Sequence, residues 1–437
     1  MLLLLGKKKL TVQETTDIWN KALNQRKHLL VNSPNNYNTD DNNDNNNDNK
    51  NDNKNDNKNE NNNINDSINL GDGGKLQNEL NTAISCVQLS SYVSRSVQRN
   101  LLGNKGSISK EDNSPVTICD FAVQAIIIDA LSRRFPNDKF IAEEDSKDLK
   151  DNENIRNGVK DILYKATGYE WSDEKLYNVI DKGSYDGSND GMIKNRIWVL
   201  DPIDGTKGFM RGEHYCIALA LLVNGKPTLS VMGCPNLQLD QIMKAVGNKD
   251  INKIAPGFDT STYIEGKGNV HLFPPTSGSI FFAVTGHGSF ARSLSMPLGA
   301  AYEVFVSQTS KSSDCSLCEA AEALHGDRTV TMKVSSTLGL TKDFVRLDGQ
   351  CKLAVVGAGA ADGNMRLPPK GYREKIWDHA SGSHFVIEAG GKVTDLQGRS
   401  LDFTEGRYLA ADVTSILASN GILHNEILKA ITSAKNE

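Results

Sequence analysis

The chain has 437 residues, long enough for a large core and for two or three domains, and it carries 49 lysines and arginines against 54 aspartates and glutamates, a net charge of −5. That balance leaves no basic footprint, so neither a nucleic-acid polymer nor a membrane surface is expected as a partner. A small molecule is the expected ligand.

The chain opens MLLLLGKKKL. The apolar run is too short for a signal peptide, its positive charge follows rather than precedes it, and no stretch approaches the ~20 apolar residues of a membrane span. Cytoplasmic localisation is expected, although an excess of Lys and Arg in the first thirty residues leaves an organellar transit peptide open. Residues 1–31 form an N-terminal extension. Residues 32–70 are near-repeats of Asn, Asp and Lys, with too little apolar content to offset the entropy of ordering.

From 71 to 255 an N-terminal α+β subdomain is expected, and from 256 to 437 a C-terminal α/β subdomain. Leu76, Leu80, Ile84 and Val87 fall at helical spacing within 76–102, and Thr117 to Phe135 has a dense apolar helical face. Lys139 to Ala142 reads as a strand, and the polar stretch 145–194 as helix and loop. Strand signals recur at 196–200, 216–223 and 229–232, the last two joined by the turn Asn224-Gly225-Lys226-Pro227. Further on, 279–284 is expected as a strand and 316–324 as a helix. Residues 352–357 fit either element, 365–367 is extended, and 378–389 is a helix closed by Gly390-Gly391. Seven cysteines without framework spacing suit free thiols in a reducing compartment. Cys315-x-x-Cys318 lacks the second pair of a zinc knuckle and reads as core thiols.

The chemistry concentrates in three acidic clusters. In Trp198-Val199-Leu200-Asp201-Pro202-Ile203-Asp204-Gly205-Thr206, an apolar strand ends at two aspartates, followed by a probable-turn composition and a helix start. Acids held together ask for a cation, and helix-start amides accept phosphate. Alone, the segment reads equally as a turn capped by two aspartates. Upstream, Phe140-Ile141-Ala142 leads into Glu143-Glu144. Downstream, Ile376-Trp377 leads into Asp378, with small residues after it. Three such clusters tip the balance to hard oxygen ligation, favouring Mg²⁺ or Mn²⁺ over zinc.

These motifs resemble the lithium-sensitive, magnesium-dependent phosphomonoesterases that include the inositol monophosphatases. The fuller stretches Asp112-Asn113-Ser114-Pro115-Val116-Thr117, DPIDGTKGFMRG (Asp201 to Gly212), Gly233-Cys234-Pro235-Asn236-Leu237 and Gly371-Tyr372-Arg373-Glu374-Lys375-Ile376-Trp377-Asp378 are similar to the 3′(2′),5′-bisphosphate nucleotidases. The resemblance runs from about Leu76 to Ser433. It implies a sugar-phosphatase fold, an α/β/α/β/α sandwich of two subdomains, and two or three Mg²⁺ ions. It implies that Glu143, Asp201 and the Ile203 carbonyl hold one ion, with Asp201 bridging to a second that Asp204 and Asp378 also hold. Asp112 and Thr206 would activate the attacking water, and the Gly205 and Thr206 amides would hold the phosphate. Glu144 supports the ligands rather than joining them.

The nucleotide pocket departs from the pattern. A family stretch of the form L-D-S-Q-x-K is here Leu347-Asp348-Gly349-Gln350-Cys351-Lys352, with glycine for serine. A two-histidine H-S-x-H pattern is here Glu322 to His325, which keeps the second histidine. A shifted register would instead match His325 and Arg328; the preceding Ala320-Ala321 pair favours the former. His325 also reads as an ordinary helix-end histidine. Lys352 and Arg366 are the cations expected at the phosphate that is not cleaved, and Trp377 is expected in the core. The implied reaction removes the 3′-phosphate of adenosine 3′,5′-bisphosphate, and of its sulfated relative, by metal-activated water. An inositol phosphatase of the same fold and an inactive nucleotide-binding regulator are the alternatives. The sequence leaves oligomeric state open.

Overall fold

The structure, a computed structural model, describes residues 76–103, 114–188, 191–238, 242, 278–294, 301–321 and 328–436. Strands are numbered in chain order. β1 (Lys139–Ala142), β2 (Arg196–Asp204), β3 (Cys216–Val223), β4 (Lys226–Cys234), β5 (Ser279–Val284), β6 (Gly288–Ser293) and β7 (Tyr302–Val304) form one seven-stranded sheet in sequence order. Only β1 and β2 run parallel; the remaining pairs are antiparallel. A second, five-stranded sheet has the order β11-β12-β10-β8-β9, built from β8 (Leu317–Ala320), β9 (Val345–Leu347), β10 (Gly363–Arg366), β11 (Lys392–Asp395) and β12 (Ile416–Ser419). The first sheet thus continues past residue 255 into the stretch expected to open the second subdomain.

Strand periodicity explains why the apolar runs are unbroken. Along β3, Ile217, Leu219 and Leu221 face one core, while Cys216, Ala218, Ala220 and Leu222 face another. Helices Gln77–Gly103 and Ser114–Arg134 cover the first face. Helices Cys351–Gly357 and Ala380–Glu388 fill the space between the two sheets. Helices Arg328–Leu338 and His424–Asn436 close the outer face of the second sheet over Leu317, Met365 and Leu417. The result is a five-layered α/β/α/β/α sandwich, as expected.

Several local readings change. Residues 317–320 are a strand, not the start of a helix, because they pair in parallel with both β9 and β10. The second helix starts at Ser114 rather than Thr117. Its Pro115–Arg134 portion is long and apolar enough to cross a membrane, contrary to the sequence expectation, but two-thirds of its apolar window (67%) is buried inside the protein. β2 does not stop before the first aspartate; it runs through Asp204. Residues 351–357 resolve as helix, and 378–389 as a short 3₁₀ turn, Ile376–Asp378, leading into the helix from Ala380. All seven cysteines are free and buried, Cys315 and Cys318 included.

Candidate active site

The parallel pairing of β1 with β2 brings the first two clusters together. Ala142 is in register with Leu200, so Glu143 leaves β1 level with Asp201. Asp201 and Asp204 are three residues apart, and a regular strand would turn them to opposite faces. The register on β3 breaks between them, and this irregularity lets both carboxylates join one cluster. The 3₁₀ turn Ile376–Asp378 brings Asp378 from beyond the second sheet. Four expected ligands therefore converge from three chain segments.

Electrostatics report the crowding. Burial holds the Asp201 carboxyl well above the usual carboxylate range, and Glu143, Asp204, Asp378 and Asp120 add to the effect in that order. Burial and then Asp378 push Asp204 up to about 6, against the pull of Lys352. Glu143 is raised by burial, although Lys375 lies 3.5 Å from its carboxylate. Asp201 is 2% exposed, and its Oδ1 has no hydrogen-bond partner. A buried orphan oxygen among mutually repelling acids is what a divalent cation would relieve, and an all-oxygen donor set fits Mg²⁺.

Next to the acids lies a phosphate-sized turn. Gly205, at φ +99°, caps the Thr206–Arg211 helix, and a Cβ there would press within 3.1 Å of Asp348 and the Gly349 nitrogen. Thr206 is exposed, its hydroxyl donating to the Ile203 carbonyl at 3.3 Å. The ion pair of Arg211 with buried Asp348, at 2.6 Å, fastens this helix to the 347–350 loop.

Both expected cations reach the acids. Lys352 Nζ donates to the carbonyl oxygens of Gly349 (2.8 Å) and Leu347 (3.3 Å); burial lowers its pKa while Asp204 opposes the change. Arg366 donates from Nε to Glu374 at 2.9 Å and lies over the Tyr372 ring. Trp377 is 3% exposed and packs in the core, flanked by Lys375 and Arg407. Asp112, Glu322 and His325 lie outside the described residues.

Three residues at the site were not expected. Asp120, buried within the Ser114–Arg134 helix, is close enough to Glu144 and Glu143 that burial and their charge raise its carboxyl well above the usual range. A lone acid in the apolar run Cys119 to Ile128 was its sequence signal. Glu374 accepts from His379 Nε2 (2.8 Å) and Arg366; burial would raise its carboxyl, but those partners bring it down to about 2. Its oxygens clear a possible metal distance with Asp378 and His379, yet both are already engaged. Gln350 stood in the sequence only as the glutamine of the Leu347 to Lys352 family stretch, with no role of its own. Glu144, expected to support the ligands rather than join them, has its main chain clasped by Gln124, which donates to the Glu144 carbonyl (2.7 Å) and accepts from its N–H (3.1 Å).

The model of the inositol monophosphatase family matches residues 76–436. A 3′(2′),5′-bisphosphate nucleotidase of Schizosaccharomyces pombe is 38% identical over 372 residues, covering 81% of this chain and 96% of the relative. One of Oryza sativa is 36% identical over 376 residues, covering 84% and 96%. Among solved structures, the inositol monophosphatase from Anabaena superposes with a TM-score of 0.45 at 19% identity, covering 82% of this chain and 97% of that one.

Proposed function

We propose, from the premise that the chain belongs to the inositol monophosphatase family and is similar along most of its length to 3′(2′),5′-bisphosphate nucleotidases, that it is a Mg²⁺-dependent phosphomonoesterase removing the 3′-phosphate of adenosine 3′,5′-bisphosphate to give AMP and phosphate. The observation that carries the reading is the convergence of Glu143, Asp201, Asp204 and Asp378 about the partnerless Asp201 Oδ1.

Those carboxylates and the Ile203 carbonyl would hold two ions, with Asp201 shared, and a third is compatible with the excess of acid. Bound Mg²⁺ supplies positive charge to the phosphoryl oxygens and makes water acidic enough to react near neutral pH. The chain's own residues do the rest. The Gly205 and Thr206 amides orient the scissile phosphate. The Thr206 hydroxyl orients water, and Asp120 takes its proton as the water oxygen bonds to phosphorus and the P–O bond to the 3′-oxygen breaks, the 3′-oxygen taking a proton from solvent as it leaves. Asp112 was the sequence candidate for this base; Asp120 is the described acid seated beside Glu143 and Asp201. Lys352 and Arg366 supply charge for the phosphate that remains, and Arg366 adds a planar fork suited to it. The buried free thiols support a reducing compartment such as the cytoplasm.

Phosphate release from adenosine 3′,5′-bisphosphate and from inositol 1,4-bisphosphate, each with Mg²⁺ and with EDTA, tests the reading. Mg²⁺-dependent release from the nucleotide is expected to exceed that from the inositol phosphate. Equal turnover in EDTA, or preference for the inositol phosphate, would overturn it.

A further inference from the structure

Gln350 joins two of the acids without being one of the ligands. Its main-chain N–H donates to Asp204 Oδ2 at 2.7 Å. Its side-chain Nε2 donates to the Trp377 carbonyl at 2.9 Å, one residue before Asp378. Its Oε1 accepts from the Gly382 N–H at 2.8 Å, in the first turns of the helix that follows Asp378. One residue, 2% exposed, thus grips the end of β2 with its backbone and both sides of the Asp378 turn with its amide. A single carboxamide has one donor end and one acceptor end, and here each meets its complement.

We infer that Gln350 is the positioning residue that sets the spacing of Asp204 and Asp378, and so the strength of the cation site those two share; this rests on the metal reading above. No other hydrogen bond described here runs directly from the Asp204 carboxylate to the segment that also holds the Asp378 turn. Asp204 and Asp378 repel each other, so their spacing has to be imposed. Gly349 assists by lacking a Cβ: one there would fall 2.3 Å from the Asp204 carbonyl oxygen, and its absence lets the Gln350 N–H approach. Glu143 lies on another segment, outside this clamp. The ion held through Glu143 is therefore the internal control.

Substituting the side chain keeps the main-chain donor to Asp204, removes the side chain's own pull on that carboxylate, and releases the backbone from the Asp378 turn. Gln350→Met keeps length and loses both amide contacts. Gln350→Glu keeps shape and the acceptor, but sets a carboxylate against the Trp377 carbonyl. Residues that orient metal ligands are worth about 10–100-fold in affinity.

The experiment is a titration of the full chain with Mn²⁺ in the presence of inorganic phosphate, followed by calorimetry and by the spin-coupled resonance of a paired-ion site, with melting temperature recorded alongside. The expected result is two ions in the parent. In both variants one ion of the pair should lose about 10–100-fold in affinity and the spin coupling should fade, while the other keeps its affinity. A purely structural role would lower the melting temperature and weaken both ions alike; that result, or two unchanged ions, overturns the inference. If the Met variant does not fold, the Glu variant decides. A parent that binds no pair of ions refutes the metal reading itself, and is recognised before any variant is compared.

Discussion

Gly349 and Asp204 are in contact through main chain: a Cβ on Gly349 would meet the Asp204 carbonyl oxygen at 2.3 Å and its carboxyl carbon at 3.0 Å, at a φ of +56°. The serine of the family pattern is therefore not a free addition in this chain. Gly349→Ser should cost about 1–2 kcal/mol for the left-handed backbone alone, and should push on Asp204 besides. The expected outcome is a lower melting temperature and a higher Mg²⁺ requirement. Tighter nucleotide binding with an unchanged melting temperature would show that the loop accommodates the hydroxyl.

The repelling carboxylates also tie stability to pH. Asp201, Asp204, Asp120 and Glu144 all have folded-state pKa values raised by burial and by neighbouring carboxylates, Asp204 to about 6 and Glu144 to about 7. A raised carboxyl binds its proton more tightly in the folded state. Its contribution is intact below the unfolded value near 4 and is lost as pH rises through the folded value. Burial lowers His384 to about 3 and His424 to about 4, and these act the other way below about pH 7, so the carboxylate effect is read from pH 7 to 8, where metal-free protein should melt at falling temperature. Saturating Mg²⁺ should flatten or reverse that trend, because the cation replaces the protons and binds better as they leave. Thermal melts across pH in EDTA and in Mg²⁺ measure both slopes; a metal-free melting temperature that rises from pH 7 to 8 contradicts the charge balance described here.

The acidic clusters were legible because each follows an apolar run, and a buried strand leaves few places for a carboxylate. What brought them together was not legible. The parallel β1–β2 register and the irregularity between Asp201 and Asp204 are properties of pairing, invisible to local pattern. Residues 317–320 were expected inside a helix spanning 316–324, and became a strand because β9 and β10 flank them. Asp120 was hidden in a helix whose apolar residues cover every side, where one acid reads as an interruption. Gln350 and Glu374 act by holding other groups, and uncharged or already paired residues carry no mark of that in sequence.

Asp120 and Asp112 separate in their effects. Asp120→Asn keeps the side chain's size and removes its ability to take a proton. Its kcat should fall by roughly 10²–10⁴-fold, the usual loss for a general base, with Mn²⁺ stoichiometry and product binding retained. Asp112, the base expected from the sequence, lies outside the described residues, and the same substitution there tests that expectation. Steady-state rates beside calorimetric Mn²⁺ titration decide; a collapse of rate in the Asp112 variant with normal turnover in the Asp120 variant would restore the assignment read from sequence.

Residues 32–70 are near-repeats of Asn, Asp and Lys. Removing residues 1–70 should therefore leave the melting temperature and kcat close to those of the full chain, given how little apolar content residues 32–70 offer for packing. A drop of many degrees in the truncated protein would show that the extension contributes to the fold.

Arg366 is placed to distinguish a bisphosphate from a monophosphate. Its guanidinium is fixed on two sides, by Glu374 at 2.9 Å and by the Tyr372 ring 5.2 Å below, and Tyr372 in turn donates weakly to Asp378 at 3.4 Å. A group so held loses little entropy on meeting a phosphate. Arg366→Lys keeps the charge but loses the planar fork, so Glu374 retains a cation while the phosphate loses paired hydrogen bonds. The KM for adenosine 3′,5′-bisphosphate should rise about tenfold, as one or two kcal/mol of charged hydrogen bonding is lost. For adenosine 3′-phosphate, which lacks the second phosphate, KM should scarcely change. Because the contact is made equally in ground and transition states, kcat should hold for both substrates. A fall in kcat shared by the two would mean that Arg366 serves the Asp378 turn rather than the substrate, and the charge recognising the second phosphate would then have to come from Lys352.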